Sequence, residues 1–177
     1  MPTRESPFWL ALSVRSRHEK SVQRMVNYKG YATSLPLCTR WHTRQRGTAW
    51  ESQSPLLPGY VFVQQNLQNP FHIVTTPGVV KFVGCGNCPS PIPVAEIEAL
   101  ETIAASQLPI GQCSYTRIGD AVELKAGPLK GVVGIVVREA GPTRLVVSVS
   151  LLQRSVFVEI ESKWAGPVST FALGLSA

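Results

Sequence analysis

Near Ile118 the sequence changes its pattern, and that change sets two separate folding problems. Before it, short apolar runs alternate with segments whose apolar residues recur at helical spacing; after it, only short β-type runs between glycines and prolines remain. Phe8 to Val14 is rich in strand formers, and Val22, Met25 and Val26 then fall on one face of an amphipathic helix closed by Gly30. Tyr31 to Thr39 reads as a further strand in which Pro36 demands an edge or a bulge. Trp41 to Ser54 is polar, basic and without a period, the pattern of a long exposed loop. In Gly59 to Gln65, Tyr60, Phe62 and Gln64 point one way and Val61 and Val63 the other. A strand apolar on both sides is expected to be covered on both faces.

Asn69-Pro70 supplies a cap and first-turn pair for a short helix over Phe71 to Thr75, ended by the turn at Pro77-Gly78. Val79 to Val83 is a strand. Beyond the proline-punctuated loop Pro89 to Pro93, Ile97, Leu100, Ile103 and Ala104 share a helical face, with Glu96, Glu98 and Glu101 early, where the helix dipole favours acids. This order predicts an α+β class: a domain over residues 6–107 with helices against a mainly antiparallel sheet, then a linker over 108–115. Over 116–162 the runs Ala121 to Lys125, Val132 to Arg138, Arg144 to Ser150 and Ser155 to Glu161, with Gly and Pro at the corners, predict a small closed β-barrel. Residues 163–177 hold one charge and no period, and read as a disordered tail.

Composition narrows the function. The chain has 177 residues, with 17 Lys+Arg against 11 Asp+Glu. Residues 1–50 hold nine of the basic residues and two acids, a local balance of +7, while the remainder sums to −1. A basic excess confined to one part of a domain suits a surface that meets nucleic acid, because neutralising phosphates releases counterions. A solvated helix face beside a mobile loop would give the same count. Asp120 is the only aspartate, which argues against carboxylate-held Mg²⁺, Ser-His-Asp triads and paired-carboxylate hydrolysis. The sequence has no phosphate-binding G-x-x-x-x-G-K-[ST], no H-E-x-x-H and no G-x-S-x-G, and His18, His42 and His72 lie in unrelated contexts. The expectation is a protein without catalysis, metal or cofactor. Cys85 and Cys88 form a C-x-x-C, but zinc would need two more ligands from Cys38, His42 or Cys113, and a glycine-rich hairpin accounts for the segment equally well. Four unevenly spaced cysteines and the lack of a secretion signal or an apolar run of ~18 residues predict free thiols, a cytoplasmic location and no membrane span.

Several segments in fixed order resemble the NusG family of transcription elongation factors, and within it the specialised antiterminator branch of UpxY type. In the first domain these are Trp9-Leu10-Ala11-Leu12, Arg15-Ser16-Arg17-His18-Glu19-Lys20, Pro55-Leu56-Leu57-Pro58-Gly59-Tyr60-Val61-Phe62-Val63, Thr76-Pro77-Gly78-Val79-Val80-Lys81-Phe82-Val83-Gly84, and Pro91-Ile92-Pro93 before Glu96-Ile97-Glu98. In the second, Gly127-Pro128-Leu129-Lys130-Gly131-Val132-Val133-Gly134 looks like a KOW motif, and Arg144 to Val156 is similar to the family's last hairpin. The resemblance implies a NusG N-terminal domain followed by an SH3-like KOW barrel.

It also implies how such a factor works. Family members lay an apolar patch of the first domain on the clamp helices of RNA polymerase, bridge the main channel and disfavour pausing. The matching positions are Trp9, Leu57, Tyr60 and Phe82, with Pro58 shaping the loop that presents them. Aromatic anchors among aliphatic residues suit an interface core, although such residues also serve as a domain's own core; Phe82 is assigned to the core, Trp9 and Tyr60 to the interface. In the specialised branch the start of the first helix touches the non-template DNA strand. Arg15, Arg17, Lys20 and Arg24 occupy that region, with Arg17, Lys20 and Arg24 expected on one helical face and His18 or Trp41 near the bases. A solvated helix flank is the competing reading, and Arg40 to Arg46 is given no role. The barrel recruits a small-subunit ribosomal protein or the termination factor Rho through positions matching Leu151, Leu152 and Arg154. Leu152 departs from the aromatic residue usual in general NusG proteins, and Val74 from an arginine common before Thr-Pro-Gly. The valines of Val132 to Val137 and Val146 to Val149 favour a barrel that stays β. The expected protein is a monomeric, operon-specific antiterminator. A general NusG factor and a KOW-type RNA- or ribosome-binding protein are the alternatives.

Overall fold

The computed structural model describes residues 8–43, 49–65, 70–85, 88–113, 120–137 and 143–167, and the chain divides into two units, Met1–Ile97 and Glu98–Ala177. The first unit is built on β1 (Phe8–Val14), followed by α1 (Glu19–Tyr28), β2 (Thr33–Ser34), β3 (Leu37–Thr43), β4 (Ala49–Pro55), β5 (Tyr60–Gln65), α2 (Pro70–Val74), β6 (Val79–Phe82), β7 (Gly84–Cys85) and β8 (Cys88–Pro89). A third helix, α3 (Val94–Ala105), crosses the division between the units.

Four strands form one antiparallel sheet in the order β2-β5-β1-β6. Strand alternation puts Leu10, Leu12 and Val14 of β1 on one face, opposite Val63 and Val61 of β5, and this face buries them with Val22 and Val26 of α1, Leu35 and Ile73. Each such side chain fully withdrawn from water favours the fold by roughly 1.5–3 kcal/mol. On the other face Ala11 and Phe62 stand opposite each other and are also buried, so both sides of β5 are covered as its alternation predicts.

Two readings of this region need correction. Tyr31 to Thr39 is not one strand. Leu35 and Pro36 separate β2 from β3, and the Pro36 carbonyl accepts a hydrogen bond from the Leu56 amide at 2.8 Å. The segment 41–54, expected as a loop, instead supplies most of a two-stranded ribbon, with β3 and β4 paired from Leu37↔Pro55 to Thr43↔Ala49. Cross-strand backbone pairing joins the two strands, and Leu37 packed on the core and the Lys20 Nζ bond to the Gln53 carbonyl tie the ribbon to the rest of the unit, so no apolar period along its length is needed to form it.

The second unit pairs β9 (Ile110–Cys113), β10 (Asp120–Leu124), β11 (Val133–Val137), β12 (Arg144–Val149), β13 (Arg154–Glu159) and β14 (Ala165–Pro167) in the order β14-β10-β11-β12-β13-β9. The four strands expected from the sequence are present, and Leu124, Val136, Leu145, Val147, Val149, Val156 and Val158 are buried. Three expectations differ. Ile110–Cys113, placed in a linker, is a strand paired with β13. Residues 163–167, placed in a disordered tail, form part of a 3-10 turn (Ser162–Trp164) and then β14, which pairs with β10; residues 168–177 lie outside the described residues. Among the described residues no closed barrel is found, since the end strands β14 and β9 do not pair with each other. The whole is a mixed fold of antiparallel sheets with few helices.

Close approaches explain both added strands. An ideal Cβ on Gly111 would come within 2.5 Å of Phe157 Cε1, its cross-strand partner, and Arg144 lies 4.3 Å above the centre of the same ring. The Trp164 ring lies against the backbone of Gly127, and the Trp164 carbonyl accepts from the Lys125 amide at 2.9 Å. Gly111→Ala should therefore lower the urea midpoint by a stability loss of about 1–3 kcal/mol with the slope unchanged. A neutral result would mean that β9 is not anchored by that ring.

Candidate protein and nucleic-acid interfaces

The end of β1 is a junction of three turns. The Val14 amide donates to the Gly59 carbonyl at 2.9 Å and the Arg15 amide to the Gly78 carbonyl at 2.8 Å, so the loops 56–59 and 76–78 both abut the turn that leads into α1. Glu19, the first residue of α1, is only 5% exposed, and its Oε1 accepts the Gly59 amide at 2.9 Å. Gly59 takes φ +84°, a left-handed conformation that L side chains rarely adopt. Gly78 (φ +96°) packs where a Cβ would stand 2.9 Å from Val22 Cγ2 and 3.1 Å from His18 Cβ. Lys29, at the other end of α1, donates from Nζ to the His72 carbonyl at 2.6 Å and to Thr76 Oγ1 at 2.7 Å, tying the helix to α2 and the turn behind it.

Arg15, Arg17, Lys20 and Arg24 are all exposed, but they are not one helical row. Arg17 sits in the turn before α1 with φ +65°, so its expected place on the helix face beside Lys20 and Arg24 is corrected. Lys20 Nζ donates to the Gln53 carbonyl of β4 at 2.9 Å, and Arg24 Nε makes a long 3.4 Å contact with the Lys20 carbonyl. Arg15 and Arg17 carry no side-chain bond among the described residues, which leaves their guanidinium groups free for an outside anion. His18 begins the helix without capping it, and its Nδ1 stays 3.0 Å from the Ser16 carbonyl. Trp41 lies in β3 and its side chain is outside the described residues.

The expected apolar set divides between the two faces of the sheet. Trp9 and Tyr60, both half-buried, share one face through the pairs Trp9↔Gln64 and Ser13↔Tyr60. The buried pair Ala11↔Phe62 lies between them, so the two rings are two rows apart, about 14 Å along the strands. Phe82 stands opposite Leu12 on the α1 side and packs against that core, so it belongs to the fold and not to the face carrying Trp9 and Tyr60. Leu57 is buried and Pro58 exposed. Lys81, exposed, pairs with Ser13 and extends the Tyr60 row across to β6. In the second unit Leu151 is half-buried and Arg154 exposed, whereas Leu152 is buried in a 3-10 turn (Ser150–Leu152).

Among the described residues no three His, Cys, Asp or Glu side chains gather as a metal site. Cys38 is buried and its thiol points to the Ser54 carbonyl at 3.5 Å. Burial pushes the Cys113 thiol up from its ordinary pKa, against a smaller lowering by Arg144. No helix among the described residues is long and apolar enough to cross a membrane.

Sequence reasoning passed over Glu19 and Lys29, whose partners lie 40 or more positions away. Glu19→Ala should leave the Gly59 amide without its acceptor and cost about 1–3 kcal/mol. Glu19→Gln, which still offers an oxygen, should cost less. Denaturant midpoints, with amide exchange at Gly59, would check this order, and equal losses for the two variants would refute the role given to the carboxylate.

Comparison with known proteins agrees with this geometry. The family described as transcription termination factor nusG matches residues 7–101. The transcription termination/antitermination protein NusG of Thermus thermophilus is 30% identical over 131 residues, covering 67% of this chain and 70% of that protein. A solved structure described as domain interaction in Thermotoga maritima NusG aligns with a TM-score of 0.55 and 20% identity, covering 92% of this chain and 98% of the other, a likeness of fold. With more than half its length matched by the family and a relative at this identity, the chain belongs to the NusG family.

Proposed function

We propose that this chain is a transcription elongation and antitermination factor that acts by binding RNA polymerase, without turnover, and that it belongs to the specialised, operon-restricted branch of its family. NusG-family proteins are transcription factors, which supports a binding role over an enzymatic one. The observation that carries the reading is the junction itself: a half-buried Tyr60 row and an exposed Arg15–Arg17 turn are locked side by side by the Glu19 to Gly59 hydrogen bond. Tyr60 and Trp9 are the aromatic anchors for the polymerase clamp helices, with Pro58 on the rim, Leu57 as buried support and Phe82 holding β6 to the core on the other face. Rings half open to solvent on a rigid sheet lose little conformational entropy on docking. Arg15 and Arg17 contact the non-template strand, with Lys20 and Arg24 contributing charge from the helix. A free guanidinium on a fixed turn suits phosphate, and single-stranded DNA binding needs such a basic track.

The second unit is read as a KOW module of SH3-like type, supported by its run of antiparallel strands β10 to β13. Leu151 and Arg154 are its candidate contacts for a ribosomal protein or Rho, and Leu152 supports them from within.

Trp9→Ala or Tyr60→Ala should weaken retention of polymerase by roughly thirtyfold, about 2 kcal/mol, while leaving the fold intact. Undiminished retention would overturn the proposed anchors. Tight binding of structured RNA with no polymerase retained would favour an RNA-binding role instead. Combining Arg15→Gln with Arg17→Asn, the latter chosen because asparagine tolerates the left-handed turn, should reduce the salt dependence of single-stranded DNA binding by about 1.4 in log–log slope. Single-round transcription on the protein's own leader, compared with an unrelated leader, tests the function directly. Reduced pausing on its own leader alone supports the specialised reading, and equal effects on both support a general factor.

A further inference from the structure

Two exposed cysteines take no part in the function proposed above. In the hairpin of β7 and β8, Cys85 stands directly opposite Cys88, and both are free thiols open to solvent. Cα atoms facing each other across an antiparallel pair are about 4.5–5.5 Å apart, inside the ~4.4–6.8 Å range that a disulfide needs. Only Gly86 and Asn87 separate the two cysteines in sequence. Gly84 permits the strands to close this tightly, since a Cβ there would stand 2.8 Å from Pro89 Cα and run into the Cys88 carbonyl.

The hairpin is also an excursion with fixed ends. The Val83 amide donates to the Ala11 carbonyl at 2.9 Å and the Ile92 amide to the Trp9 carbonyl at 2.8 Å, while the Ser90 amide closes the base on Val83 at 3.2 Å. A bond between the two sulfurs would tie off this excursion with both anchors on β1 left in place. The remaining cysteines are poor competitors: Cys38 is buried, and Cys113 is half-buried with a thiol that burial makes harder to ionise.

We propose that Cys85 and Cys88 form a reversible disulfide, a redox modification site exchanging with a low-molecular-weight thiol–disulfide couple. One thiolate attacks a sulfur of the small disulfide RSSR, forming a mixed disulfide and releasing RS⁻. The second thiolate then attacks the protein sulfur of that mixed disulfide, forming the Cys85–Cys88 bond and releasing the other RS⁻. The two cysteines lose two electrons and two protons, and RSSR leaves as two RSH. Because the second step is intramolecular, it outcompetes a second mixed disulfide.

The full chain equilibrated in glutathione buffers of graded ratio, acid-quenched, alkylated and analysed by intact mass and peptide mapping tests this. Wild type should lose two hydrogens, located by cleavage after Glu96–Glu101 to the one peptide that carries both Cys85 and Cys88 and takes no alkyl group, with Cys38 and Cys113 still alkylated. The bridge should form even with reduced glutathione in roughly tenfold excess over oxidised. Cys85→Ser and Cys88→Ser, both at exposed positions, should keep the wild-type melting temperature and carry one reductant-sensitive glutathione adduct instead of a bridge. Two adducts on wild type, a bridge through Cys38 or Cys113, or no reaction in fully oxidised glutathione would each overturn the proposal.

Discussion

A carboxylate taken almost wholly out of water must find compensation, and Glu19 finds it in the amide of a left-handed glycine. That bond fixes the first turn of α1 against the start of β5, and the Val14 to Gly59 bond fixes the same glycine against β1. A negative side chain at the helix start also complements the helix dipole. Helix, loop and two strands thus share one restraint: α1 cannot pivot away without leaving the Gly59 amide without its acceptor. The Arg15–Arg17 turn is short enough to inherit this rigidity, although its own side chains stay exposed. Charge on a fixed turn and aromatic surface on a fixed strand are what a factor docking on a larger machine requires.

The two faces of the β2-β5-β1-β6 sheet carry different duties. The α1 side is closed by aliphatic residues and Phe82 packs into it. The other side has a fully buried middle, Ala11 and Phe62, with a half-buried ring at either end. The two rings are therefore spread along the strands rather than gathered into one hollow, and the sheet holds them at constant spacing.

What could be read in advance followed apolar periodicity. β1, β5, β6, α1 and the inner strands β10 to β13 all announce themselves by alternation or by helical spacing, as does the covering of β5 on both faces. Glu19 is legible as an acid in a first helical turn, but its partner is 40 residues away and no local pattern connects them. The same holds for Lys29, which reaches 43 and 47 residues along the chain. Arg17 was misplaced for a different reason: helical spacing from Lys20 is satisfied by counting, and nothing in an arginine signals that its backbone is left-handed. The β3 and β4 ribbon is polar and aperiodic, so a pattern built on burial passes over it, although seven residue pairs join its two strands along their shared edge.

Closure of the second sheet is the part of the expectation that strand grammar cannot supply, and among the described residues no closed barrel is found. Strand grammar reports how many short β runs a segment holds, but closure depends on whether the first and last of them meet. Here the two strands that periodicity missed are the two edges. Among the described residues β9 and β14 are also the shortest strands of that sheet, four and three residues, and each carries a residue that weakens the strand signal while suiting an edge. Gly111 leaves room for the Phe157 ring, and Pro167 of β14 has no amide proton to donate to a ladder. Short edges interrupted by glycine or proline discourage another chain from extending the ladder. The features that protect the sheet from unwanted pairing are therefore the features that hid its edges in the sequence.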